Sequence, residues 1–199
     1  WLFAGLNRIR YTTAQKLNFT IGEKDGFELS QAYLMFWDKL EKGNYFLESI
    51  IETRREKSNR RLVMWLLNNA MIDGGQWDMF VNLVEKYGII PKYVMTESYH
   101  SSDSSLMNKM LNLKLREYAK VLREEFKEQE EIDLRDRKEE MIKEFYALLC
   151  HFFGEPPKAF DFEYRDKKNN FYRDRNLTPL EFYKKYSSVK VKDYISIIN

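Results

Sequence analysis

With 44% hydrophobic and 16% aromatic residues, a chain of 199 residues has the make-up of a folded globular protein, large enough for one domain or for a main domain carrying an insertion. Its 33 Lys and Arg almost cancel its 31 Asp and Glu, so composition lends no support to non-specific nucleic-acid binding by the chain as a whole. A single cysteine, Cys150, rules out an intramolecular disulfide and favours a reducing, cytoplasmic compartment, and no apolar run is long enough to span a bilayer.

In chain order, Leu2, Leu6 and Ile9 predict a helix over about residues 1–18 whose apolar pattern starts at once, with no capping residue before it. After the loop marked by Gly22 and Gly26, Ser30 is a cap for a helix through about Lys42, with Leu34, Trp37 and Leu40 inward. Gly43 is expected to interrupt it, and further helical runs follow around Phe46–Ile51 and Leu62–Leu67. Asp73-Gly74-Gly75-Gln76-Trp77 reads as a tight turn with exposed backbone, leading into a helix from about Trp77 to Tyr87 that packs through Phe80, Leu83 and Val84 and stops at Gly88.

Residues 104–153 are helical and highly charged, with stripes at Leu106, Met110 and Leu113 and at Met141, Phe145, Leu148 and Phe152, flanking a solvated stretch over 124–140. This is the pattern of a helical hairpin added to a core domain. Phe160, Phe162 and Tyr164 then alternate with Asp161 and Glu163 as a half-buried strand, and 167–170 can turn the chain into a second strand at Phe171 and Tyr172. Thr178-Pro179-Leu180-Glu181 opens a helix with cap, N1 proline and capping-box glutamate in place; Val189, Val191 and Ile195–Ile198 suggest extended chain at the end.

The chemistry-bearing residues form no persuasive centre by themselves. Cys150 and His151 are adjacent, so on a helix their side chains diverge by about 100°, which does not suit a nucleophile and its base. Cys150 reads as a small core residue, His151 as a surface residue, and His100 as a partner for the nearby hydroxyls or carboxylate of Ser101, Ser102 and Asp103. Two separated histidines and one cysteine lack zinc-site spacing, and Gly74-Gly75 is not a phosphate-binding motif, so no metal or other cofactor is called for.

Trp1-Leu2-Phe3-Ala4-Gly5-Leu6-Asn7, Phe27-Glu28-Leu29-Ser30-Gln31 and Tyr33–Lys39, followed by Asp73-Gly74-Gly75-Gln76-Trp77-Asp78-Met79 and Val84–Gly88, resemble the bleomycin hydrolase and aminopeptidase C branch of the papain-like cysteine peptidases. Pro156-Pro157, Glu163–Asp166 and Thr178–Tyr183 extend the resemblance in family order over essentially the whole chain. It implies an α+β, papain-like fold, mainly the helical lobe with a helical insertion: lobe at 1–103, insertion at 104–153, and a continuation of the peptidase domain at 154–199.

The resemblance also implies that this is an internal segment. The family's catalytic Cys lies directly before the position of Trp1, its oxyanion-hole Gln earlier still, and its catalytic His and Asn beyond Asn199. Neither His100 nor His151 matches the catalytic histidine, which leaves no catalytic residue within the chain. Gly74 and Gly75 correspond to positions along the substrate groove, with Trp1, Gln76 and Trp77 near the active site. The expected partners are peptide substrates and, through a homohexamer, further copies of the chain; no membrane is expected. A catalytically silent helical scaffold, or a nucleic-acid-binding protein using Lys184, Lys185, Lys190 and Lys192, are the competing readings.

Overall fold

A computed structural model describes residues 2–18, 27–124 and 131–194. The helices are α1 (Leu2–Lys16), α2 (Gln31–Glu52), α3 (Arg61–Asn68), α4 (Trp77–Tyr87), α5 (Tyr99–Ser102), α6 (Ser105–Glu124), α7 (Glu131–Phe153) and α8 (Pro179–Tyr186). The strands β1 (Phe160–Arg165) and β2 (Phe171–Leu177) form one antiparallel hairpin. This mostly helical α+β arrangement is that of the helical lobe of a papain-like peptidase. Contacts divide the chain into two compact units, one comprising residues 1–37, 74–98 and 156–199, the other residues 38–73 and 99–155.

In the first unit, α4 buries Phe80, Leu83 and Val84, the stripe expected from the sequence. Two glycines set how closely its neighbours approach. A Cβ on Gly5 of α1 would lie 2.3 Å from the Phe80 ring. At the other end Gly88 stops α4 with φ of 76°, and a Cβ there would lie 2.3 Å from the carbonyl of Pro179, the first residue of α8. Trp37 stacks on Tyr87 with ring centroids 4.0 Å apart, and the Tyr183 hydroxyl of α8 donates to Glu85 over 3.1 Å. The start of α2 is fully capped: Ser30 Oγ accepts from Tyr33 N, and a Glu97 carboxylate oxygen accepts from the amides of Gln31 and Ala32.

The hairpin leans on α8 through its buried face. Phe162 meets Phe182 at 4.9 Å and Tyr186 at 4.8 Å, both edge to face. The register slips between Phe160 and Phe162, opposite Asn176, which takes a left-handed φ of 53° and donates its amide to the Asp161 carboxylate. Thr178 and Glu181 form the expected capping box of α8. The extended end expected at Val191 is instead a short 3-10 turn, Val191–Asp193, while Ile195–Ile198 lie outside the described residues.

Two expectations change in the second unit. Gly43 does not interrupt α2, which runs unbroken to Glu52. A Cβ at Gly43 would stand 2.7 Å from the Phe145 ring, so the residue that weakens the helix by about 1 kcal/mol is the one that lets α7 pack against it. On α6 the buried stripe is Met107, Leu111, Leu115, Tyr118 and Leu122, whereas Leu106, Met110 and Leu113 face out. Both sets have helical spacing, and packing on α7 selects between them. Glu48 of α2 accepts from Arg135 and Lys138 of α7, and the Tyr118 hydroxyl donates to Glu144.

The glycine contacts generate a testable contrast. Gly88→Ala combines the left-handed φ penalty with steric overlap on Pro179 and is expected to lower unfolding free energy by about 3 kcal/mol. Gly154→Ala, at φ of 85° with open space around it, is expected to cost only about 1 kcal/mol. Urea titrations of the two variants check this order.

Candidate active site

Between Asp73 and α4 the chain forms no regular turn. Gly74 and Gly75 are exposed, and neither has a positive φ. Leaving aside chain neighbours, a Cβ on Gly74 would meet nothing within 4 Å, and one on Gly75 only Met79 Sδ at 3.8 Å. The expected tight turn is thus an open, irregular segment. Neither backbone conformation nor packing demands glycine at these two positions, in contrast to Gly5 and Gly88.

Gln76 follows as the exposed N-cap of α4, its side chain making no capping bond. Trp77 is half-buried, 5.1 Å from Phe80 and 6.3 Å from Tyr194 between ring centroids. Because Phe80 lies directly on Gly5, the start of α1 is packed against the helix that carries Trp77. Trp1 lies outside the described residues.

The residue before Gly74 carries an ion pair that the sequence reading missed. Lys39, only 1% exposed, donates to Asp73 Oδ1 over 2.5 Å. Ser104 Oγ and Asn108 Nδ2 donate to the other carboxylate oxygen at 2.9 and 2.7 Å. Burial alone would raise the Asp73 pKa, but Lys39, Asn108 and Ser104 outweigh it and hold the group at about 2. Burial pushes the Lys39 ammonium below its usual range despite that partner. A clue was present: Lys39 falls three residues after Phe36 and seven before Phe46, on the buried face of α2.

The other candidates are scattered. Cys150 is half-buried rather than in the core, and burial followed by the Glu155 charge pushes its thiol pKa up against an opposing bond from Tyr146. A raised thiol pKa is the reverse of what a nucleophile needs. His151 is exposed. The His100 ring stands edge-on to Tyr99 and Phe152, at 5.3 and 4.9 Å, and its buried Nδ1 makes none of the expected hydrogen bonds. Lys185 is ion-paired with Asp174. Among the described residues no group of three or more His, Cys, Asp or Glu could hold a metal ion, and no helix is long and apolar enough to cross a membrane.

Comparison with known proteins bears on the same elements. The model of the Peptidase C1-like family matches residues 1–199, and the chain belongs to this family. It is 54% identical over 199 residues to aminopeptidase C of Listeria innocua, covering all of this chain and 44% of that protein. It is 40% identical over 204 residues to human bleomycin hydrolase, again covering all of this chain and 44% of the relative. The crystal structure of PepW from Lactobacillus rhamnosis HN001 superposes with a TM-score of 0.90 at 44% identity, over 97% of this chain and 42% of that one. The chain therefore spans less than half the length of each of these three relatives.

The Asp73 cluster makes a prediction about stability. Asp73→Asn leaves the Lys39 ammonium buried without its counter-charge, and is expected to cost about 2–3 kcal/mol in urea unfolding, less than for a fully buried pair because Asp73 is half-exposed. Lys39→Met removes the buried charge as well and is expected to cost under about 1 kcal/mol. The folded pKa of Asp73 lies below its unfolded value, so its contribution is full above about pH 4 and is lost as pH falls through about 2. The deficit of Asp73→Asn should accordingly shrink over that window.

Proposed function

We propose that the intact protein to which this chain contributes is a cysteine-type aminopeptidase, releasing N-terminal residues from peptides through a thiolate and an acyl-enzyme. The observation that carries the reading is the match to the Peptidase C1-like family along all 199 residues, with 54% identity to an aminopeptidase C.

In this proposal the nucleophile is a Cys directly before Trp1, at the N-terminus of α1, where the helix dipole and a neighbouring imidazolium lower the thiol pKa. Attack on the peptide carbonyl gives a tetrahedral oxyanion, stabilised by an upstream Gln and a backbone N–H. A His following this segment in the chain protonates the leaving amine and then activates water, and an Asn orients its ring. The role of the present chain is to hold the groove. The lack of side chains at Gly74 and Gly75 lets an extended peptide approach the backbone closely regardless of its own sequence. Gln76 and Trp77 border the same groove, and residues 104–153 are an insertion on the lobe. Assembly as a homohexamer in the cytoplasm completes the proposal.

Two experiments test it. In the intact protein, replacing the residue before Trp1 by Ala is expected to abolish thiol-reagent labelling at that position and reduce aminoacyl-coumarin hydrolysis by about three orders of magnitude or more, while Cys150→Ala changes neither. Loss of activity with Cys150→Ala, and none with the other variant, would sink the reading. Gly74→Ala separates groove from fold. Its Cβ has space and an ordinary φ, so unfolding free energy should stay the same or rise by about 0.4–1 kcal/mol. Peptide kcat/KM should nevertheless fall about tenfold, mostly through KM. An unchanged KM would remove Gly74 from the groove.

A further inference from the structure

Within the second unit, the turn after α2 and the C-terminal ends of α3 and α6 surround an open cavity of about 810 Å³. That size falls in the roughly 300–1,000 Å³ range of small-molecule sites. Six cations line it: Arg54, Arg55, Lys57, Arg116, Lys120 and Arg123. Only two carboxylates, Glu56 and Glu124, stand against them in the described lining.

Cations at the ends of helices often serve only to neutralise the last carbonyls, and some of these do. Arg54 donates to Ile51 O over 2.7 Å, Arg116 Nε to Leu67 O over 2.8 Å, and Arg123 to Thr53 O over 2.8 Å and to Glu56 O. That function does not use up the charge. Among the described lining residues, six cations less two carboxylates leave four, and three helix C-termini at roughly half a charge each leave a surplus of between two and three. Arg55 and Lys57 make no side-chain hydrogen bond or ion pair among the described residues, and Lys120 meets Glu124 only at 3.9 Å.

The carbonyl contacts also prearrange the donors. Arg116 is anchored through Nε, which leaves both terminal nitrogens of its fork unengaged among the described residues, and the Arg123 guanidinium is held between two carbonyls. Burial pushes Arg123 below its usual range, with Glu56 opposing. Leu67 and Ala119 add a small apolar wall. A forked, multiply positive pocket of this volume matches a compact polyphosphate group better than an extended polymer.

We infer that the cavity bounded by Arg55, Lys57, Arg116, Lys120 and Arg123 is a binding site for a small molecule bearing two or more linked phosphates. The probe is sodium tripolyphosphate, titrated calorimetrically into the intact protein at low ionic strength. Saturable one-to-one binding is expected, weakened about tenfold or more by the combined Arg55→Ala, Lys57→Ala and Lys120→Ala substitutions, which lie on exposed side chains and should leave circular dichroism unchanged. The matching set Lys184→Ala, Lys190→Ala and Lys192→Ala, in the other unit, should have no effect. Absence of saturable binding, or equal weakening by both sets, overturns the inference. It is equally overturned if hexaglutamate binds as tightly, which assigns the pocket to acidic peptide, or if a single-stranded oligonucleotide binds there and tripolyphosphate fails to displace it, which assigns it to nucleic acid.

Discussion

Helix α4 is positioned by two contacts in which a hydrogen stands where a side chain would clash. Gly5 lets α1 lie on the Phe80 ring, and Gly88 lets the end of α4 meet the Pro179 carbonyl at the head of α8. The same helix is clamped by the Trp37–Tyr87 stack and the Tyr183–Glu85 hydrogen bond. With α4 so held at both ends, the Gly74–Trp77 segment that leads into it has a defined place although its own backbone is irregular and exposed. Rigidity comes from the helix, and accessibility from the absence of side chains before it.

Charge in the second unit follows a different logic. Lys39 is buried at a cost that Asp73 offsets, and Asp73 in turn draws hydrogen bonds from Ser104 and Asn108. Such a cluster contributes little net stability, since an apolar side chain could replace the lysine, but it ties α2, the end of the 38–73 segment and the start of α6 to a single carboxylate. Around the basic cavity the balance tips the other way, with positive charge among the described lining residues exceeding what the helix ends require.

Much of the lobe was legible from periodicity. The Phe80, Leu83 and Val84 stripe, the capping box at Thr178, the alternation of β1 and the stop at Gly88 each depend on interactions among residues close in the chain, which local pattern reports well. Errors arose where the deciding partner was distant. Gly43 reads as a break until Phe145 is seen to occupy the space it leaves. The outer stripe of α6, Leu106 to Leu113, has the same spacing as the buried one, and only tertiary packing distinguishes them. Lys39, a lysine amid apolar residues, announces its burial only once its counter-charge, 34 residues away, is known.

The amino-acid sequence by itself determined the family, through motifs kept in order from Trp1 to Tyr183, and with it the helical α+β lobe. It also singled out Gly74 and Gly75, since adjacent glycines outside any helix stand out without coordinates. Only the tertiary structure decided that neither backbone conformation nor packing requires them. A sequence cannot tell a glycine needed for backbone conformation or close packing from one that leaves its surroundings empty, because the difference lies in what a Cβ would touch. At Gly5 and Gly88 it would touch a ring or a carbonyl, and at Gly74 nothing.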